Sequence, residues 1–133
     1  MTTEHCLSLT AARARYAYDN VADWSEKWCK DANQRVKGLP VQVRTQGLMV
    51  SIAMLMNEDT NQSRKLAALL ADWLLRRAPV QILPWTDRAG SEPTGRDLLG
   101  ACAKGARMPV LAAQREAIAI LEQVKLYAQA LWA

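Results

Sequence analysis

A catalytic centre needs a held acid, base or nucleophile, and this chain supplies few residues of those types. His5 is the only histidine. An acid or base works only when a site holds it, so no imidazole base is expected at that position. Cys6, Cys29 and Cys102 are odd in number and widely spaced, with no Cys-x-x-Cys pair and no Cys/His cluster. That spacing predicts reduced thiols, not a disulfide framework or a zinc site. Cys102 lies in a small apolar run where Lys104 could lower its pKa only if both were exposed, so it reads as a structural thiol. The adjacent acids Glu58-Asp59 read as a solvated turn or cap, not a metal clamp. Gly100 and Gly105 lack the Lys-Ser/Thr and the strand-turn-helix setting of a nucleotide cradle. The expectation is a non-enzyme with no cofactor and no metal.

Positive charge is the remaining chemistry. The formal net charge is +4. From Lys27 to Arg44, five basic residues (Lys27, Lys30, Arg35, Lys37, Arg44) face one acid, Asp31, a local +4; the residues before this stretch carry −2 and those after it +2. Lys30, Arg35 and Lys37 gather near the expected end of a first helix, where cations suit the terminal carbonyls. Arg76 and Arg77, before Pro79, have the same local explanation. Arg44, expected one or two turns into a second helix, and Arg64-Lys65, at the start of a third, do not. Cations there need a carboxylate or phosphate partner. By composition alone a solvated or salt-bridged face ranks slightly above nucleic-acid contact, since +4 is modest and no aromatic residues interleave as a stacking platform.

The elements that would position these residues are helical. The first helix is expected from about Ser8 into 33–37, with Ala14, Tyr18, Val21, Trp28 and Ala32 recurring at helical spacing. Leu39-Pro40 reads as the start of a second, central helix, since proline suits a first helical position. That helix is expected to run on through Gly47, which would allow a close backbone approach, and from Leu48 to Met56 nearly every residue is apolar, which predicts a single helix enclosed by its neighbours. Leu66, Leu69, Leu70, Trp73 and Leu74 share one face of a third helix, which Asp59, Thr60 or Asn61 could cap. Pro79, Pro84, Gly90, Pro93 and Gly95 predict a long surface loop over 79–95. A short helix over Arg96–Ala103 and a last helix from near Pro109 to near Leu131 complete the chain. The last has its seam at Val110, Ala113, Ala117, Ile120, Leu121, Val124, Ala128 and Leu131. With no strand alternation, no repeat and 133 residues, the chain reads as one all-α domain, residues 1–133, a bundle of about five to six helices. The longest apolar run is too short to span a bilayer, and no basic segment followed by an apolar one opens the chain. A cytoplasmic protein is expected.

Three blocks together resemble a known family. Leu39-Pro40, Gly47-Leu48 and Ile52-Ala53-Met54-Leu55 come first, then Leu69-Leu70-Ala71-Asp72-Trp73-Leu74, then Glu116 through Ala128. In order and spacing they resemble the small subunit of the Type III-B CRISPR effector, the Cmr complex. The chain departs from that pattern at Gln123, where the family often has Trp, and at Leu126, where it often has Arg. The core spacing Ile118, Leu121, Val124 is kept.

The resemblance implies a non-catalytic helical subunit that stacks in more than one copy along an antiviral RNA-guided effector. Its implied partners are the large polymerase-like subunit, the repeated backbone subunit, further copies of itself, and the guide RNA with its target RNA. In the family, chemistry belongs to those other subunits. Charge clustering, not the matched motifs, nominates Lys30, Arg35, Lys37, Arg44, Arg64, Lys65 and Arg107 for sequence-independent contacts to RNA phosphates. Two readings of other classes stay open: a helical DNA-binding regulator, and a helical adaptor that binds only proteins.

Overall fold

The computed structural model describes residues 8–79, 82–85 and 92–132. His5 and Cys6 lie outside the described residues. Six α-helices follow one another: α1 (Leu9–Ala22), α2 (Cys29–Gln46), α3 (Leu48–Glu58), α4 (Asn61–Asp72), α5 (Gly95–Lys104) and α6 (Arg107–Trp132). A π-helical turn, Trp73–Arg77, continues α4. Among the described residues there is no strand. The all-α bundle expected from the periodicity is the fold.

Side chains mark several of the helix starts. Ser8 Oγ accepts from Ala11 N–H at 3.1 Å and opens α1. Thr60 Oγ1 accepts from Ser63 N–H at 3.2 Å and opens α4, so of the three expected caps it is the threonine that serves. Thr94 and Asp97 form a reciprocal capping box at α5.

The first two helices are divided otherwise than the sequence predicts. The chain leaves helix at Asp23 because Ser25 offers an alternative: its Oγ accepts from Lys27 N–H and its carbonyl from Cys29 N–H. Trp24 and Trp28 turn together there, ring centroids 5.8 Å apart. A new helix begins at Cys29, six residues on from Asp23. It then runs straight through Gly38 and Pro40 to Gln46, so Leu39-Pro40 is no helix start. Local preference puts the cost of an interior proline at about 3 kcal/mol. What outweighs it is a continuous apolar face: Ala32, Val36, Leu39 and Val43 are all fully buried.

The true break is Gly47, with φ 90° and ψ 164°, a conformation open to glycine. It ends α2 and begins α3, and Gln114 Oε1 accepts the Leu48 N–H at 3.2 Å across the turn. The expected enclosure of the following helix also fails. Leu48, Ile52 and Leu55 are buried, but Met49, Val50 and Met54 are 39%, 49% and 41% exposed. That side of α3 borders α5 but stays largely open.

Packing is layered. α6 lies along both α2 and α1; α3 and α4 pack on α2 and on each other, and α5 closes over α3 and α4. Tyr18, expected among the buried positions of α1, is exposed, while Ala17 and Val21 are buried. The seam of α6 is as expected from Ala113 to Ala128, but Leu131 is exposed. In the described part of the 79–95 loop, Leu83 is fully buried and Pro93 is also buried, so the segment is anchored to the core at two points. Residues 80–81 and 86–91 lie outside the described residues.

Candidate nucleic-acid interface

Because α2 is continuous, Lys30, Lys37 and Arg44 fall seven residues apart on a single helix. Seven residues are nearly two turns, so the three project from one stripe about 10 Å apart along the axis. All three are exposed, as are Gln34 and Val41 between them. Among the described residues none of the three forms an ion pair. Arg44 occupies the last turn of α2, not the beginning of another helix, so the dipole favours a cation there after all.

Arg35 stands on a different face of α2. Its Nε donates to both Glu58 carboxylate oxygens, at 3.0 and 3.1 Å, and its Nη2 donates to Gln42 Oε1 at 3.0 Å. Burial alone would raise the Glu58 carboxyl, but hydrogen bonds from Arg35 and Ser63 outweigh it and hold the group below the usual glutamate value. Arg64 pairs with Asp59, the left-handed residue that ends α3. The acidic pair is thus a turn that ties α2, α3 and α4 through two arginines. Lys65 is exposed at the start of the second turn of α4, and Arg107 is exposed as the first residue of α6.

Sequence reasoning missed a second polar cluster, because its members lie far apart in the chain. Glu116 is buried in α6 and accepts from Arg13 Nε and Nη2, each at 2.7 Å. Trp73 Nε1 donates to the same carboxylate at 2.9 Å. Nearby, Tyr16 OH donates to the Leu69 carbonyl at 2.9 Å and to Asp72 Oδ2 at 3.0 Å, and Arg76 pairs with Asp72 at 2.9 Å. The π turn brings Arg77 Nε to 3.5 Å from the same Asp72. These groups join α1 to α4 and α6 and leave little of their charge free for a ligand. Cys102 is buried, and burial pushes its thiol up to about 11, far from a reactive thiolate. Among the described residues no group of three or more His, Cys, Asp or Glu is placed to hold a metal ion.

The family model described as CRISPR-associated protein (Cas_Cmr5) matches residues 9–131. The chain belongs to the Cmr5 family. A solved structure with a similar fold is the X-ray crystal structure of a CRISPR-associated Cmr5 family protein from Thermus thermophilus. The two share 24% sequence identity with a TM-score of 0.73, over 94% of this chain and 98% of that one. No curated protein matches the chain. As a Cmr5 family member it is a small subunit of the CRISPR Cmr complex and assembles with other subunits of that effector. The motif positions that carried the resemblance are chiefly structural: Leu39, Pro40, Leu48, Trp73 and Leu74 are buried, and Gly47 forms the helix junction. Among the described residues no helix is long and apolar enough to cross a membrane.

Proposed function

We infer that this small subunit is a non-catalytic member of the Type III-B effector, which stacks in copies along the assembly and lines the channel for the guide RNA and its target with basic residues. The observation that carries this reading is the stripe of Lys30, Lys37 and Arg44 on α2, exposed and without ion pairs among the described residues. Regularly spaced cations on a rigid helix suit a regular phosphate backbone, and they read no sequence. Base pairing between guide and target supplies the specificity, and the large polymerase-like subunit and the repeated backbone subunit supply the chemistry. Lys65 and Arg107 add exposed cations that form no ion pair among the described residues. Arg35 and Arg64 join them only by leaving Glu58 and Asp59.

The test is charge reversal of the stripe, Lys30→Glu, Lys37→Glu and Arg44→Glu together, in the reconstituted complex. Target-RNA affinity should fall, and the slope of log affinity against log salt should flatten by roughly two, since each phosphate neutralised on a single strand contributes about 0.7 to it. An unchanged affinity and slope in a fully assembled complex would remove the stripe from the channel.

A further inference from the structure

Gly38 leaves a bare place on the exposed side of α2, beside the cation stripe. It stands inside the helix and is exposed, and nothing beyond its immediate neighbours lies within 4 Å of where its Cβ would be. Glycine and proline are the two poorest residues for a helix interior, so local preference does not account for it. By helical spacing its neighbours are Gln34 and Arg35 on the turn before and Val41 and Gln42 on the turn after. Arg35 and Gln42 close one side as a fixed pair, since Arg35 Nη2 donates to Gln42 Oε1 at 3.0 Å and Arg35 Nε donates to Glu58. Gln34 and Val41 border the other side, and both are exposed. The bare backbone is thus the floor of a shallow notch with one polar and one apolar edge toward the stripe.

Gln34 lies four residues after Lys30 and three before Lys37, so it occupies the interval between two cations about 10 Å apart. Its amide forms no hydrogen bond among the described residues. In the next interval, between Lys37 and Arg44, the corresponding place is taken by Val41, whose side chain can form none. A strand whose phosphates lie on the cations presents sugar to the intervals between them. Ribose carries a 2′-hydroxyl that both donates and accepts, and the Gln34 amide also does both. Deoxyribose has no such group. The carbon face of the sugar suits Val41, and the missing side chain at Gly38 lets the ring come close to the helix. The one acid of this stretch, Asp31, stands in the first turn of α2, where the dipole suits it, one turn before Gln34.

We propose that the notch over Gly38 seats a ribose of an RNA strand held on the stripe, with the Gln34 amide hydrogen-bonded to its 2′-hydroxyl. This makes that face of the subunit selective for RNA over DNA. It rests on the reading of the stripe as an RNA contact and adds to it, because cations alone bind either nucleic acid whereas the hydroxyl tells them apart.

Neutral substitutions test it in the reconstituted complex. Affinity is measured for a target with ribose throughout, for the same target with deoxyribose, and then with deoxyribose in the paired segment of the guide instead. The ribose-to-deoxyribose affinity ratio is compared between the wild-type subunit, Gln34→Leu and Gly38→Leu, so that the effect of the sugar on base pairing cancels. Each variant should lower the ratio by roughly two- to tenfold, the loss that one hydrogen bond allows. The strand that responds is the one seated on α2. Thermal melting of the free chain should not fall, since both positions are exposed and leucine is a good helix former. A ratio equal to wild type for both strands, in either variant, overturns the proposal. Both substitutions leave the charge, and hence the salt slope, unchanged. If reversal of Lys30, Lys37 and Arg44 lowers affinity and slope while the ratios stay equal, the ribose contact alone fails. If that reversal has no effect, the stripe reading fails and the ribose contact with it.

Discussion

Trp73 donates its indole N–H to Glu116 Oε2 at 2.9 Å, and that carboxylate also receives both nitrogens of a bidentate Arg13. One buried charge therefore serves three helical segments, and its value lies in being fully satisfied. Removing one partner of such a cluster leaves the other stranded. Glu116→Ala should cost about 3 to 5 kcal/mol in urea unfolding, far more than a surface substitution. A double-mutant cycle with Arg13→Ala should give a coupling of about 0.5 to 3 kcal/mol. Additive single effects would show that Arg13 does not depend on Glu116 and that α1 is held by its apolar face alone.

Arg35 and Lys37 are two residues apart yet should behave oppositely. Arg35 is committed to Glu58 and Gln42, whereas Lys37 is exposed and forms no ion pair among the described residues. Arg35→Ala should destabilise the free chain by up to about 1 kcal/mol, as a partly exposed ion pair allows, and should affect RNA binding little. Lys37→Ala should do the reverse. The pH dependence follows from the lowered Glu58 carboxyl. A folded-state pKa below the unfolded one gives stability that is present above the ordinary carboxylate value of about 4.3 and is lost as pH falls through the folded value. The gap between the wild-type chain and Glu58→Gln should therefore close on acidification below about pH 4. A gap that persists unchanged to about pH 2 would mean that the Arg35 contact is not electrostatic.

The regular spacing of Lys30, Lys37 and Arg44 is present in the bare sequence, but it carries meaning only if one helix contains all three. Gly38 and Pro40 argue locally for a boundary between them, and that local argument loses to burial of Val36, Leu39 and Val43, which pattern reasoning weighs poorly against proline. The same local argument puts Arg35 and Lys37 at a helix end and Arg44 near a helix beginning, where none of them stands. Helix content, the core of α4 and the seam of α6 are legible because apolar periodicity is dense there. The exposed side of α3 is not, since an apolar run looks alike whether a neighbour covers it or a partner does. Glu116 is unreadable for a different reason: Arg13 is 103 residues away, and nothing local marks a carboxylate as buried.

Two glycines should respond to alanine with opposite signs. Gly38 lies inside α2 with nothing within 4 Å of where a Cβ would stand, so Gly38→Ala should stabilise the chain by about 0.4 to 1 kcal/mol through helix propensity and a less flexible unfolded state. Gly47 sits at φ 90° and ψ 164°, where a Cβ is strained whatever the space. Gly47→Ala should destabilise by about 1 to 3 kcal/mol. Chemical denaturation of both variants decides it. Equal effects at the two positions would mean that the α2–α3 junction does not require the glycine conformation.

Cys102 gives the sharpest test of whether α5 is closed onto the core in solution. Its thiol is raised by burial to about 11, against about 8.5 for a free cysteine. Only the thiolate reacts, so in a chain also carrying Cys6→Ser and Cys29→Ser, alkylation of Cys102 at about pH 8 should be on the order of 100-fold slower folded than in denaturant. Stability should follow the same linkage. A folded-state pKa above the unfolded one favours the protonated folded form, so the contribution is complete below about pH 8.5 and is lost as pH rises toward the folded value. Cys102→Ala should remove that alkaline decline while costing some packing at neutral pH. Rapid labelling of the folded chain, at the rate seen in denaturant, would mean that α5 opens readily.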